Sequence, residues 1–428
     1  MEMEFHRSYS TSSSSSSSHH NNKQLYSLSS QRSLASIPSL NHHQSSSATY
    51  HHCLATLKGH TSSYISSLTL AGKFLYTGSS NREIRSWNHT TAASSAAGAS
   101  AVTAGKGAVK SLVVQSDKLF SAHQDYKIRV WKITTNVNDG EDEDDAWGAE
   151  VKYTRVATLP TLGDRACKVL NPKNHVQIRR HKKCTWVHHV DTVSALALSR
   201  DHALLYSVSW DRSIKIWRTT DFTCVESVNN AHDDAINAVA VSRDGHVYTG
   251  SADKKIKIWR NNQNRNENEK KGIRHCLVGT LEKHKSGINA LALSVDGSVL
   301  YSGACDRSIL VWEKRREGEG EGEGIMVVVG ALRGHTKSIL CLAVVGDLVC
   351  SGSADKSIRV WRGVRGGGGG GGEYECLAVL EGHMGPVKCL AAVEDKGNDS
   401  ASEACFLVYS GGLDCDVKLI KINVRELI

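Results

Sequence analysis

One pattern constrains this chain more than any other: a hydroxyl residue, three residues, an Asp, two residues, an aliphatic residue, two residues and a Trp. Copies end at Trp87, Trp131, Trp217, Trp259, Trp312 and Trp361, and a seventh, SGGLDCDVKLI, places Ile420 in the Trp position. A motif repeated at this spacing marks stacked supersecondary units, none of which buries its apolar face alone. Trp131 and Trp217 stand two periods apart, but no Asp-x-x-Ile-x-x-Trp copy lies between them, so the repeats number seven.

Upstream of most copies a His precedes an Ile or Val by four residues, followed by alternating Leu, as in His284, Ile288, Leu291 and Leu293. That alternation predicts a buried β-strand. A second strand such as Val299 to Gly303, the Asp turn and a third strand such as Ser357 to Trp361 follow. YTRVATL, FTCVESV, HCLVGTL, MVVVGAL and ECLAVL read as fourth strands. Four antiparallel strands per repeat predict an all-β, seven-bladed β-propeller over residues 49–428. HHCLATL, residues 51–57, has the fourth-strand pattern yet precedes the first copy. It is expected to pair with DVKLIKI near the C-terminus and close the ring, leaving no exposed sheet edge.

Composition narrows the function classes. Of 428 residues, 40% are hydrophobic and only 4 are Pro, which permits a large packed core. The longest apolar run, Ile325 to Leu332, falls far short of the ~20 residues a membrane helix needs. The start, MEMEFHRSYS, carries Glu2 and Glu4 and no apolar stretch, against a secretory leader. Twelve Cys with no C-x-x-C pair read as reduced thiols of the cytoplasm or nucleus.

Residues 1–48 hold eighteen Ser and no apolar periodicity, and read as a disordered tail. Within it, Ser33, Ser36 and Ser39, near Arg32 and Pro38, are candidate phosphorylation sites. The formal net charge is +8, and much of the excess is local: the insert 160–188 carries Arg165, Lys168, Lys173, Arg179, Arg180, Lys182 and Lys183 against Asp164 alone. Polar expansions at 90–100, 136–149, 261–271, 315–324, 363–372 and 394–404 are expected to share one face of the ring, opposite the insert.

These repeats resemble the WD-repeat family, whose propellers carry a hydrogen-bonded tetrad of His, Ser or Thr, Asp and Trp in each blade. Mapped here, the resemblance implies His189, Ser207, Asp211 and Trp217; His232, Thr249, Asp253 and Trp259; His284, Ser302, Asp306 and Trp312; and His335, Ser351, Asp355 and Trp361. The first blade has Asn81 for Asp, the second lacks the His, and the seventh has Ile420 for Trp, so stability is expected to be lower on that side. A narrower resemblance, in HCLATLKGHTSSYISSLTLAGKFLYTGSSNREIRSW, in the insert and in SIPSL, is to the plant Jingubang-like WD-repeat proteins. It implies a non-enzymatic plant regulator of the cytoplasm or nucleus.

Other chemistry is weaker. Cys167, His175, His181 and Cys184 have no standard zinc spacing, and no metal or other cofactor is expected. GKGAVKS lacks the phosphate-loop pattern, and the Asp, His and Ser residues fall in tetrads, so no catalytic site is expected. LYSGACDRSILVWEKR resembles the box of cullin-4 ubiquitin-ligase substrate receptors, with Trp312, Glu313 and Arg315 as adaptor contacts. The leading expectation is an interaction scaffold that binds an acidic or phosphorylated segment of a regulatory protein on the face bearing the Asp turns. Its anchor is Trp210, with Arg179, Arg180, Lys182 and Lys183 beside it and Ser66, Lys110, Ser194, Asn237, Asn289 and Lys388 at the channel mouth. Direct nucleic-acid binding ranks second, because the insert has no known readout element.

Overall fold

The computed structural model describes residues 37–40, 49–60, 62–88, 100–136, 150–169, 175–179, 182–261, 273–315, 324–364, 373–395 and 403–425. Seven four-stranded antiparallel sheets follow one another along the chain, the first built from Ile65–Ala71, Phe74–Ser79, Glu83–Asn88 and Ser100–Thr103. The seventh sheet takes Val387–Glu394, Glu403–Gly412 and Val417–Arg425, and its outer strand is Thr49–Leu57, with His51 opposite Ile422 and Leu57 opposite Val417. The expected closure is therefore present. Around the centre, the first strand of each blade packs on the first strand of the next, and Val387–Glu394 returns to Ile65–Ala71.

Each blade presents one apolar face to each neighbour, so the core is divided into seven clusters, one per interface. Leu57, Ile65, Trp87, Tyr409 and Leu419 fill the seam between blades seven and one. Every motif Trp lies in the cluster shared with the preceding blade, and Ile420 takes that place between blades six and seven, in a cluster that also holds Phe406.

Buried Trp indoles require an acceptor, and four blades supply it in the same way. In blades three to six, the Trp Nε1 donates to the Ser or Thr hydroxyl, which bonds His Nε2, while His Nδ1 bonds the turn Asp, all at 2.7–3.1 Å. Burial pushes His189 and His335 below the usual imidazole range, so the rings are neutral and Nε2 accepts. Asp253 and Asp306 are held down at about 2, burial opposing and their His partners outweighing it. Blade seven keeps His383 with Ser410 and Asp414, each at 2.8 Å.

Blade two lacks the motif His, as expected, and fills its role from elsewhere in the blade. Gly105 stands where the other blades have the His, and His123 from the second strand takes its role, with Nε2 2.8 Å from Ser121 Oγ, which accepts from Trp131. The orphaned Asp125 is gripped by both terminal nitrogens of Arg129. That guanidinium occupies the space beside Gly105, whose φ of +110° suits glycine. In blade one, His60 Nε2 reaches Thr77 at 2.9 Å, but Asn81 turns to the Glu83 amide, and the nearest carboxylate to His60 Nδ1 is Glu83 at 3.7 Å.

Two segments depart from their expected placement. Ile37–Leu40, inside the stretch read as a disordered tail, lies on the outer strands of blades five and six, with Ile37 and Leu40 buried. The insert begins with a helix, Leu162–Val169, and here a top-face position does not hold: Asp164 accepts the Cys224 N–H at 3.0 Å, on the outermost strand of blade three. The helix thus covers part of a sheet edge. His175–Arg179 pairs with Lys182–Thr185 as a hairpin, and the chain re-enters the ring through buried Val187.

Candidate functional site

Antiparallel blades send their Asp turns and their blade-to-blade connections to one face, here the top. At each turn the Asp, or Asn81, is followed by a residue with positive φ: Arg82, Tyr126, Arg212, Lys254, Arg307, Lys356 and Cys415, at +68° to +75°. Such a φ lies in the left-handed region, which non-glycine residues adopt mainly in tight turns like these. Five of the seven are cationic and exposed, and none of the five has a carboxylate within ion-pair distance among the described residues. The Asp-Arg and Asp-Lys pairs in motif copies three to six are the sequence signal for this collar, which the motif reading passed over.

Trp210, immediately before the Asp211 turn, is 42% exposed, so its indole is not a blade-interface filler. Its backbone N–H donates to the Thr192 carbonyl at 3.0 Å, which fixes the turn it stands on. The Lys110 ammonium of blade two sits over the ring, 5.7 Å from its centroid. Burial lowers the Lys110 pKa, and the ring face offsets part of its lost hydration. The structure thus joins two residues that were named from different repeats. Tyr126, Met384 and Leu413 are also exposed on this face. A depression of about 430 Å³, lined by Ser80, Arg82, Lys106, Gly107, Ala108, Gln124 and Asp125, opens over blades one and two.

Four other channel-mouth candidates have structural partners. Ser66, Ser194, Asn237 and Asn289 each donate to the carbonyl of the residue opening the next blade's first strand, namely Val109, Ile236, Ile288 and Ile339. They staple blade to blade. Lys388 is exposed. Of the insert cations, Arg179, Lys182 and Lys183 have described backbone only, in the hairpin, and Arg180 lies outside the described residues. The side chains of Cys167, His175 and Cys184, and all of His181, also lie outside them, as do Ser33, Ser36 and the interiors of the polar expansions. Trp312 is fully buried and bonded to Ser302, while Glu313 is half-buried and Arg315 exposed at the strand end. No helix among the described residues is long and apolar enough to cross a membrane.

The WD40 sequence profile, described as WD domain, G-beta repeat, matches residues 51–88, 181–218, 222–260, 275–313, 326–362 and 374–421. Similar proteins include Protein HIRA of Dictyostelium discoideum, 27% identical over 148 residues, 31% of this chain and 13% of that protein. The Kinesin-like protein KIF21A of Homo sapiens is 30% identical over 128 residues, 30% of this chain and 7% of that protein. The Ribosome biogenesis protein WDR12 homolog of Drosophila erecta is 27% identical over 140 residues, 30% of this chain and 33% of that protein. The match thus spans a third or less of each relative.

Proposed function

This chain belongs to the WD40 family, and from that premise we propose that it is a non-enzymatic interaction scaffold that docks an acidic or phosphorylated protein segment across the top of its propeller. One observation carries the reading: Trp210, exposed beneath the Lys110 ammonium, stands on the face that also presents Arg82, Arg212, Lys254, Arg307 and Lys356. An accessible aromatic supplies contact area at low entropic cost, and surrounding cations steer and orient an anionic partner. A plant regulatory role in the cytoplasm or nucleus accords with the Jingubang-like resemblance. The ligase-receptor reading gains nothing comparable, since Trp312 belongs to the core.

The test is an array of glutamate-rich and phosphoserine peptides probed with the wild-type protein, with Trp210→Ala, and with Arg212→Glu combined with Lys254→Glu. Loss of ~10-fold or more in affinity is expected for both variants, with binding that weakens as salt rises. Partner binding that ignores these changes, yet disappears when residues 1–36 or the polar expansions are removed, would refute the assignment.

A further inference from the structure

The tail residues Ile37–Leu40 are built into the outer rim of the ring. Ser39 pairs in parallel with Ala331 of the outer strand of blade five, Ile325–Leu332. The Ala331 N–H donates to the Pro38 carbonyl and the Leu40 N–H to the Ala331 carbonyl, each at 3.0 Å. On the other side the Leu40 carbonyl accepts the Tyr374 N–H of blade six at 2.8 Å, and Arg333 donates to the Ile37 carbonyl at 3.2 Å. The segment therefore bridges two sheet edges.

Its side chains are read as well as its backbone. Ile37 joins the cluster of Tyr248, Leu310 and Met326, and Leu40 joins Tyr301, Leu332 and Tyr374, while Pro38 and Ser39 face solvent. Gly330 makes the second pocket: a Cβ there would lie 2.2 Å from Leu40 Cγ, and its three nearest atoms all belong to Leu40. Blade five thus has a glycine where the tail's leucine enters.

We propose that the rim between blades five and six is a strand-docking site for an Ile-Pro-Ser-Leu segment, filled in cis by the chain's own tail and able to take the same segment in trans. Edge hydrogen bonds supply the affinity, and the two apolar pockets supply the selectivity. Two buried side chains and four hydrogen bonds oppose the entropy of ordering four residues, terms of similar size, so the segment exchanges rather than being fused to the ring. The short connection from Leu40 to the blade-seven strand at Thr49 keeps the cis ligand at millimolar effective concentration.

Hydrogen–deuterium exchange of the full chain tests this, following the fragments that contain Ala331 and Tyr374, with blade three as the internal reference. Leu40→Asp is expected to speed exchange of those two fragments ~10-fold or more while leaving blade three unchanged. A synthetic peptide of residues 34–43 at millimolar concentration should then restore protection. Gly330→Ala, which fills the leucine pocket, should show the same acceleration with no rescue by peptide. Unchanged exchange in Leu40→Asp would overturn the docking, and acceleration without rescue would overturn the separable site.

Discussion

Removing Arg129 probes how blade two survives without the usual His. The Arg129 side chain is 5% exposed and that of Asp125 19%, and the guanidinium both neutralises the carboxylate and fills the space beside Gly105. Arg129→Ala therefore leaves a half-buried, unpaired carboxylate next to a new void, and Asp125→Ala leaves a buried, unpaired cation. Deleting one partner of a buried pair costs ~3–5 kcal/mol, and partial access of water to Asp125 places both single variants at the lower end, near ~3 kcal/mol. The double variant removes both charges, so it should lose only ~3–4 kcal/mol, giving a coupling of ~2–3 kcal/mol. Urea unfolding followed by Trp fluorescence and far-UV circular dichroism measures this, with coincident transitions as the check on a two-state treatment. Additive losses, with coupling below ~0.5 kcal/mol, would show that Arg129 and Asp125 are independent and that the blade is held by packing alone.

Acid should destabilise the ring in part through its irregular blades. Burial pushes His60 and His123 down to about 4 from an ordinary 6.5, so the unfolded chain takes up protons at higher pH than the folded one. Their contribution is complete above pH 6.5 and is lost as pH falls towards 4, amounting to ~2–3 kcal/mol for each. The urea midpoint should fall between pH 7 and 4.5, and less steeply in His60→Gln; a flat profile in the wild type would refute the linkage. Asn237→Ala should cost ~1 kcal/mol by leaving the Ile288 carbonyl without its donor, with acidic-peptide affinity unchanged. Weakened peptide binding at wild-type stability would make Asn237 a ligand contact instead.

The spacing from hydroxyl to Asp to Trp is contained within one turn and two strands, so the sequence alone determined the seven repeats; the fourth-strand pattern of HHCLATL pointed to its closure on the last sheet, and the four complete tetrads came from the resemblance to the WD-repeat family. Alternation of apolar residues in each strand then set which faces meet at the interfaces. What only the tertiary structure decided are contacts across strands and between repeats. His123 and Arg129 stand in for the missing His inside blade two because the second and third strands bring them to Ser121 and to the space beside Gly105, which the motif spacing does not reveal. Ser66 and Asn237 read as channel-mouth polar groups until the next blade brings a carbonyl within reach. Trp210 and Lys110 come from different repeats, and only the fold brings the ammonium over the exposed ring. The four residues Ile37–Leu40 are too short to carry a period, and their partners Gly330 and Tyr374 lie some three hundred residues away. Local periodicity fixes each element and its faces, whereas hydrogen-bond satisfaction and the filling of space are settled only when distant elements meet.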